Sequence, residues 1–169
     1  MLRSLQVRNY VLIDSLDIEF PAGLVIITGQ TGAGKSILLG AISLLMGAKA
    51  DSSVIGENGD TCVVEGEFDC PGDALLKNIF EGADLDWDGG RILVRRVVSR
   101  SGRSRSFVGD EPVPKDVLQD IAGRLIDIHS QHENLILNDA SFRLGVLDAF
   151  AGNGTLREEC AATWKPLKL

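Results

Sequence analysis

The sequence predicts an α/β layered fold, and three observations predict it. Residues 4–8 and 12–19 alternate apolar and polar side chains, which is the period of half-buried strands in a hairpin or meander. After a turn at residues 21–23, residues 24–27 are all apolar, as expected for a central strand covered on both faces. A glycine-rich loop and a long apolar segment, residues 35–46, then follow and predict a buried helix. Antiparallel strands followed by a strand–loop–helix unit indicate this fold class.

The rest of the chain continues as strands and helices. Gly47 is predicted to end the first helix, because glycine readily adopts the left-handed conformation found after a helix C-terminus. Three further strands are predicted, the last two joined by a turn near Ser101 and Gly102: residues 61–68, 91–98 and 104–108. Three further helices are predicted, the last interrupted near residues 152–154: residues 71–80, 115–128 and 140–165.

Length, charge and cysteine usage limit the possible functions. The 169 residues are enough for one domain, or one lobe of a larger head, and they carry a net charge of -7. An acidic chain repels nucleic acid and anionic membranes overall, so contact with DNA needs a local basic patch. The wide spacing of Cys62, Cys70 and Cys160 predicts a reduced, cytoplasmic protein. No membrane partner is expected, because the N-terminus is charged and residues 37–46 are too few to span a bilayer.

The glycine-rich loop matches the phosphate-binding pattern G-x-x-x-x-G-K-[ST] at every fixed position. Its residues are Gly29, Gln30, Thr31, Gly32, Ala33, Gly34, Lys35 and Ser36. Glycines let successive backbone N–H groups point at phosphate oxygens, and the start of a helix adds unpaired N–H groups and a positive dipole end. Lys35 is expected to neutralise the β- and γ-phosphates, and the Ser36 hydroxyl to bind Mg²⁺. The loop therefore predicts binding of a nucleoside triphosphate, ATP above others.

Binding does not by itself give hydrolysis, which usually needs an acidic residue at the end of a second apolar strand. Asp127 follows only two apolar residues, and Asp148 lies in a helical pattern. Both are interpreted as helix-end or surface carboxylates, because short apolar runs that end in aspartate are common. A complete phosphate loop without an acidic partner predicts that this chain is one part of a larger protein assembly.

The phosphate loop and its flanks, residues 28–37, resemble the RecN family of bacterial DNA double-strand-break repair proteins, which belong to the SMC class. Related SMC heads usually carry Asn-Gly-Ser-Gly-Lys in this loop, so residues 31–34 favour RecN. Further blocks resemble the same family in order, up to about residue 152: residues 5–13, 47–51, 64–68, 95–99, 102–105 and 127–133. The sequence departs from the family at Gln30 and Ser130, and at Gly56, where SMC-type heads often carry Arg or Tyr.

The resemblance implies a P-loop NTPase fold: an ABC-type ATPase head lobe with an N-terminal antiparallel β subdomain and flanking helices. Residues 1–152 would be the first lobe, and residues 153–169 the start of a coiled-coil arm or a truncated end. A second lobe, outside this sequence, would carry the signature motif, the Walker B acid and the switch histidine. Gln131 is similar to the family's glutamine that reaches Mg²⁺ and the attacking water. ATP-driven engagement of two heads, a homodimer, would control how the full-length protein holds DNA.

A basic stretch is the candidate for DNA contact. It contains six arginines with no acidic residue among them: Arg91, Arg95, Arg96, Arg100, Arg103 and Arg105. On a hairpin these side chains would project in two rows, and Arg100, Arg103 and Arg105 are the candidates for contact with DNA phosphates. The alternative is a solvated hairpin, or arginines that form internal salt bridges.

Three functions stay open on the sequence. The first is an ATPase head lobe of a RecN-like repair protein. The second is a nucleotide-binding module for ATP-gated dimerisation, with hydrolysis incidental or absent. The third is a small P-loop kinase, for which residues 91–105 are the only lid candidate. The strands that precede the loop argue against the kinase, because small kinases tend to begin at the phosphate-loop strand.

Overall fold

The computed structural model describes residues 1–28, 34–128 and 140–164, apart from the side chains of residues 141 and 142. The chain divides into two compact units, Met1–Asp127 and Ile128–Leu169. The predicted lobe boundary after residue 152 falls inside the second unit, and it stays a prediction.

The first unit is built on an antiparallel sheet whose described strands lie in the order β2-β1-β3-β4-β5-β6. The strands are β1 (Leu2–Tyr10), β2 (Ile13–Glu19), β3 (Thr61–Asp69), β4 (Arg91–Ser99), β5 (Ser104–Val108) and β6 (Glu111–Val113). The predicted N-terminal hairpin is confirmed, and so is the β4–β5 hairpin that turns at Gly102. The short strand β6 was not predicted, because three residues are too few to establish an alternating pattern.

The described part of the first unit has three α-helices: α1 (Gly34–Leu45), α2 (Ala74–Gly82) and α3 (Lys115–Leu125). Helix α1 packs against β3 and β4, α3 packs against β5, and α2 packs against α3. The predicted end of α1 is confirmed, because Gly47 has a φ of +80° and its N–H donates to the carbonyl of Leu44. Asp73 caps α2, and its carboxylate also lies 3.2 Å from Arg124 of α3. The backbone N–H groups at the start of α2 and the Arg124 guanidinium together lower the pKa of Asp73.

The core lies on one face of the sheet. Alternate residues of β3 and β4 are buried, which is the period of a sheet with one covered face. Buried side chains from strands and helices include Leu5, Val64, Phe68, Val94, Leu118 and Ile121. On α1, Leu38 and Leu45 are buried, whereas Leu39 is 47% exposed. The predicted buried helix is therefore buried along one side only, because the described residues cover that side alone.

Residues 24–27 do not form the predicted central strand. They pair with no described strand, and Leu24 is 90% exposed and Ile26 is 75% exposed. The prediction of a strand covered on both faces is therefore wrong for this chain. Apolar content indicates a segment suited to burial, but burial also requires neighbouring strands, and the described part of the chain places none beside this segment.

The second unit holds two described helices, α4 (Ala140–Ala151) and α5 (Gly154–Trp164). Gly152, between them, has a φ of +69°, which confirms the predicted interruption near residues 152–154. Large apolar side chains on both helices are exposed: Leu144, Val146, Leu147, Phe150, Leu156 and Trp164. Within the described ranges, no helix combines the length and apolar content that a membrane span requires.

The three cysteines are free and differ in exposure. Cys62 of β3 is buried, Cys70 is half-buried and Cys160 of α5 is exposed. Burial raises the pKa of the Cys62 thiol to about 11, so this thiol stays protonated at neutral pH.

Candidate nucleotide site and arginine hairpin

The described part of the phosphate loop lies at the start of α1. Gly34 is the first residue of the helix, and Lys35 and Ser36 follow it with exposed side chains. Gly34 and Lys35 border a cavity of about 550 Å³, whose lining also includes Leu12, Asp14, Leu16, Ile27 and Thr28. The other predicted nucleotide-site residues lie outside the described part of the chain: Gly29, Gln30, Thr31, Gly32, Ala33 and Gln131.

The start of α1 suits a phosphate group. Its first turn carries no acidic residue, and the unpaired N–H groups and positive dipole end of a helix favour an anion there. Lys35 adds a full positive charge beside the cavity, and Ser36 offers a hydroxyl oxygen of the kind that binds Mg²⁺. The residues present therefore fit a magnesium-bound nucleoside triphosphate.

Asn9, near the end of β1, ties the start of the β1–β2 connection to residues 58 and 61. Its φ of +51° is left-handed, a conformation that asparagine adopts more readily than most residues. Its side-chain amide donates to the carbonyl of Thr61 at 2.9 Å, and its amide oxygen accepts from the N–H of Asn58 at 3.2 Å. The Asn58 side chain in turn donates to Asp14 at 2.6 Å. These contacts are not apparent from the sequence, because a single asparagine at a strand end does not indicate partners so distant in sequence.

Gly56 packs against Asn9, which explains why a larger residue is absent at this position. A Cβ atom at Gly56 would lie 2.5 Å from Asn9 Oδ1 and 3.0 Å from the carbonyl oxygen of Val11. The Gly56→Ala variant is therefore expected to lower the free energy of unfolding by about 1–3 kcal/mol, the usual cost of overpacking. Urea unfolding measures this change.

Gly123→Ala is the matched control for that variant. Gly123 lies on an exposed part of α3, where an added Cβ meets nothing within 4 Å. Alanine is a better helix former than glycine, so this control should leave stability unchanged or higher. An equal loss of stability in both variants would contradict the packing argument.

Three of the six arginines in the basic stretch lie in β4, and two of these pair with acids of β3. Arg91 lies 3.0 Å from Glu67, and Arg95 lies 3.7 Å from Glu65. Arg96 instead points into the core and is only 4% exposed. It donates to Ser106 Oγ at 2.6 Å, and its burial lowers its pKa. The alternative of arginines that form salt bridges within the protein is therefore confirmed for Arg91 and Arg95, whereas Arg96 is held by burial and a hydrogen bond.

The predicted DNA-contact arginines differ in their partners. The Arg100 guanidinium lies 3.2 Å from Asp60 and donates to the carbonyls of Gly56 and Gly59 at 3.4 and 3.3 Å. Arg100 therefore ties the hairpin to residues 56–60. Arg103 and Arg105 are exposed, and the structure's described part gives neither one an ion pair. Contact of these three arginines with DNA stays a prediction.

Residues 4–134 match the protein family described as AAA domain, and the chain belongs to that family. Among individual proteins, the chain is similar to the DNA repair protein RecN of several bacteria. It is 34% identical to RecN of Xylella fastidiosa (strain 9a5c) over 99% of this chain, and 36% identical to RecN of Rickettsia felis over 98% of this chain. The chain spans 30% of the length of each of these two relatives. These relatives confirm the resemblance to RecN.

Solved structures of SMC proteins share the fold. A chain from a study of ATP-driven dimerization and DNA-stimulated activation of SMC ATPases aligns with a TM-score of 0.58 at 20% identity, covering 94% of this chain and 95% of that chain. The SMC head domain from Thermotoga maritima aligns with a TM-score of 0.53 at 23% identity, covering 70% of this chain and 41% of that chain. The likeness confirms the predicted fold of an ABC-type head lobe with an antiparallel β subdomain.

Proposed function

We propose that this chain is the ATP-binding first lobe of a RecN-like ATPase head that acts in recombinational repair of DNA double-strand breaks. The observation that carries the proposal is the complete phosphate-loop pattern, which ends at the start of α1 with Lys35 beside a cavity. The curated relatives named RecN and the fold shared with SMC heads support the same assignment. The protein would act in the bacterial cytosol.

The site residues would have separate roles in holding the nucleotide. Residues 29–34 would surround the phosphates with backbone N–H groups, and Lys35 would neutralise the β- and γ-phosphates. Ser36 and Gln131 would bind Mg²⁺, which neutralises the charge that develops on the phosphates during hydrolysis. Gln131 would also orient the attacking water.

A second lobe of the same head, outside this sequence, would complete the site. Residues 24–27 support this view, because they are apolar, directly precede the phosphate loop and have exposed side chains. Strands contributed by another lobe would cover those side chains and pair with the backbone. Residues 1–152 would form the first lobe, and residues 153–169 would begin a coiled-coil arm.

Two completed heads would engage through ATP as a homodimer, and engagement would control how the full-length protein holds DNA. A solved structure with this fold comes from a study of ATP-driven dimerization of SMC ATPases. The alternative is a module for nucleotide-gated dimerisation without significant hydrolysis.

Nucleotide binding and phosphate release, measured with and without the second lobe, test the proposal. The chain alone is expected to bind Mg-ATP without appreciable turnover, and phosphate release should begin when the second lobe is supplied. Sustained hydrolysis by this chain alone would contradict a site divided between two lobes. ATP-dependent association without phosphate release would favour the dimerisation module instead.

A further inference from the structure

We propose that the end of the β4–β5 hairpin is a binding site for a backbone phosphate of DNA, formed by Arg103 and Arg105 with three neighbouring hydroxyl groups. A cavity of about 280 Å³ lies there, and its lining consists of Thr61, Val97, Ser99, Ser101, Arg103 and Arg105. Two guanidinium groups and several hydroxyls around one concavity are the donor set that proteins use to hold phosphate oxygens. The site lies in the first unit and uses neither α1 nor the phosphate loop.

The hairpin turn gives this site a fixed backbone. Gly102 has a φ of +76°, which its missing side chain allows, and its N–H donates to the carbonyl of Ser99 at 2.9 Å. The N–H of Ser99 donates to the carbonyl of Arg103 at 2.9 Å, so the two ends of the turn are joined. The Ser99 and Ser101 hydroxyl oxygens are 2.8 Å apart. The turn is therefore formed before any ligand binds.

The sheet register brings the remaining groups to the same place. Thr61 of β3 lies directly across from Ser99 of β4, and Val97 of β4 lies directly across from Arg105 of β5. All four residues lie on the sheet face opposite the buried residues of β4. Side chains on this face do not contribute to the core, so Arg105 remains available to a ligand. Arg103 lies in the turn just before β5 and is also exposed.

Arg103 and Arg105 differ from three other arginines of the hairpin in their ion pairs. Arg91, Arg95 and Arg100 each lie within salt-bridge distance of a carboxylate, at 3.0, 3.7 and 3.2 Å. No such carboxylate meets Arg103 or Arg105 among residues 1–28, 34–128 and 140–164. Asp60, the acid adjacent to Thr61 in sequence, is the partner of Arg100. Two unneutralised cations around one cavity create a local positive potential on a chain with a net charge of -7.

The proposed function favours DNA as the source of the phosphate. The choice of DNA is the one part of this inference that rests on the proposed function. Binding of short duplex DNA to the 169-residue chain is measured by fluorescence anisotropy at several salt concentrations, from about 50 to about 200 mM. The Arg103→Ala/Arg105→Ala double variant is expected to raise the Kd about tenfold at the lowest salt. It should also reduce the slope of log K against log salt by about 2, close to one for each lost phosphate contact.

Arg91→Ala is the matched control, because it removes another exposed arginine of the same hairpin that already has acidic partners. The control should keep at least half of the wild-type affinity. An unchanged Kd and salt slope in the double variant would overturn the proposal, and so would an equal loss in Arg91→Ala. Wild-type binding to phosphatidylserine vesicles but not to duplex DNA would also overturn it.

Mg-ATP binding by the double variant shows whether a failure belongs to the hairpin site or to the proposed ATP-binding function. The double variant is expected to bind Mg-ATP with wild-type affinity, because both arginines lie outside the lining of the α1 cavity. Loss of DNA binding with normal ATP binding supports the hairpin site. Normal DNA binding with normal ATP binding in the double variant rejects the hairpin site and leaves the ATP-binding proposal standing.

Discussion

The Lys35→Ala variant is expected to bind Mg-ATP about a hundredfold more weakly than the wild-type chain, or not measurably. Lys35 is the only lysine of the phosphate-loop pattern, and its side chain is exposed beside the cavity at the start of α1. A charge-assisted contact contributes about 1.5–3 kcal/mol, and one lysine between two phosphates makes more than one such contact. A loss of about 3 kcal/mol corresponds to about a hundredfold in Kd. Titration calorimetry of the 169-residue chain measures the change.

Lys115→Ala is the control for that variant. Lys115 is the first residue of α3, so it also places an exposed lysine in the first turn of a helix, but no phosphate-loop pattern precedes it. Asp116 follows it in the same turn, and a carboxylate there competes with any bound anion. The control should bind Mg-ATP as the wild type does. An equal loss of affinity in the two variants would indicate a general charge effect rather than a nucleotide site at α1.

Local patterns in the sequence were sufficient to predict most of the described sheet and helices. Alternation of apolar and polar residues has the period of a strand, and it located β3 and β4 to within one residue at each end. Glycine at position 47 predicted the end of α1 correctly, because the left-handed conformation is a property of that one residue. The phosphate loop was identifiable for a similar reason, since its chemistry depends on residues that are contiguous in sequence.

Features that depend on distant partners were not predictable in this way. The contacts of Asn9 join the end of β1 to residues 58 and 61, and nothing in the intervening sequence specifies that approach. The six arginines of the basic stretch were similar in sequence, yet cross-strand acids pair with Arg91 and Arg95 and leave Arg103 and Arg105 without such partners in the described structure. The pairing register of the strands decides which arginines lie opposite an acid, and that register is set by the whole sheet.

The Ile26→Asp variant is expected to leave the chain folded and yet prevent its assembly with a second lobe. Ile26 is 75% exposed, so the substitution should change the free energy of unfolding of the isolated chain by no more than about 0.5 kcal/mol. In the completed head, the same position would be covered on both faces, where an unpaired carboxylate costs several kcal/mol. Association with the second lobe should therefore weaken by about a hundredfold or more. Urea unfolding and a pull-down of purified lobes measure the two effects separately.

Leu75→Asp tests whether any exposed apolar residue of the first unit would behave in the same way. Leu75 is 57% exposed, and it lies in the first turn of α2, where a carboxylate is compatible with the helix dipole. This control should fold and assemble normally, because in the described part of the chain α2 packs against α3 and Leu75 does not line the cavity at the start of α1. If Leu75→Asp blocks assembly as strongly as Ile26→Asp, residues 24–27 have no special role as an interface. If Ile26→Asp unfolds the isolated chain, the segment is already packed within the first lobe, and its exposure cannot be attributed to a missing second lobe.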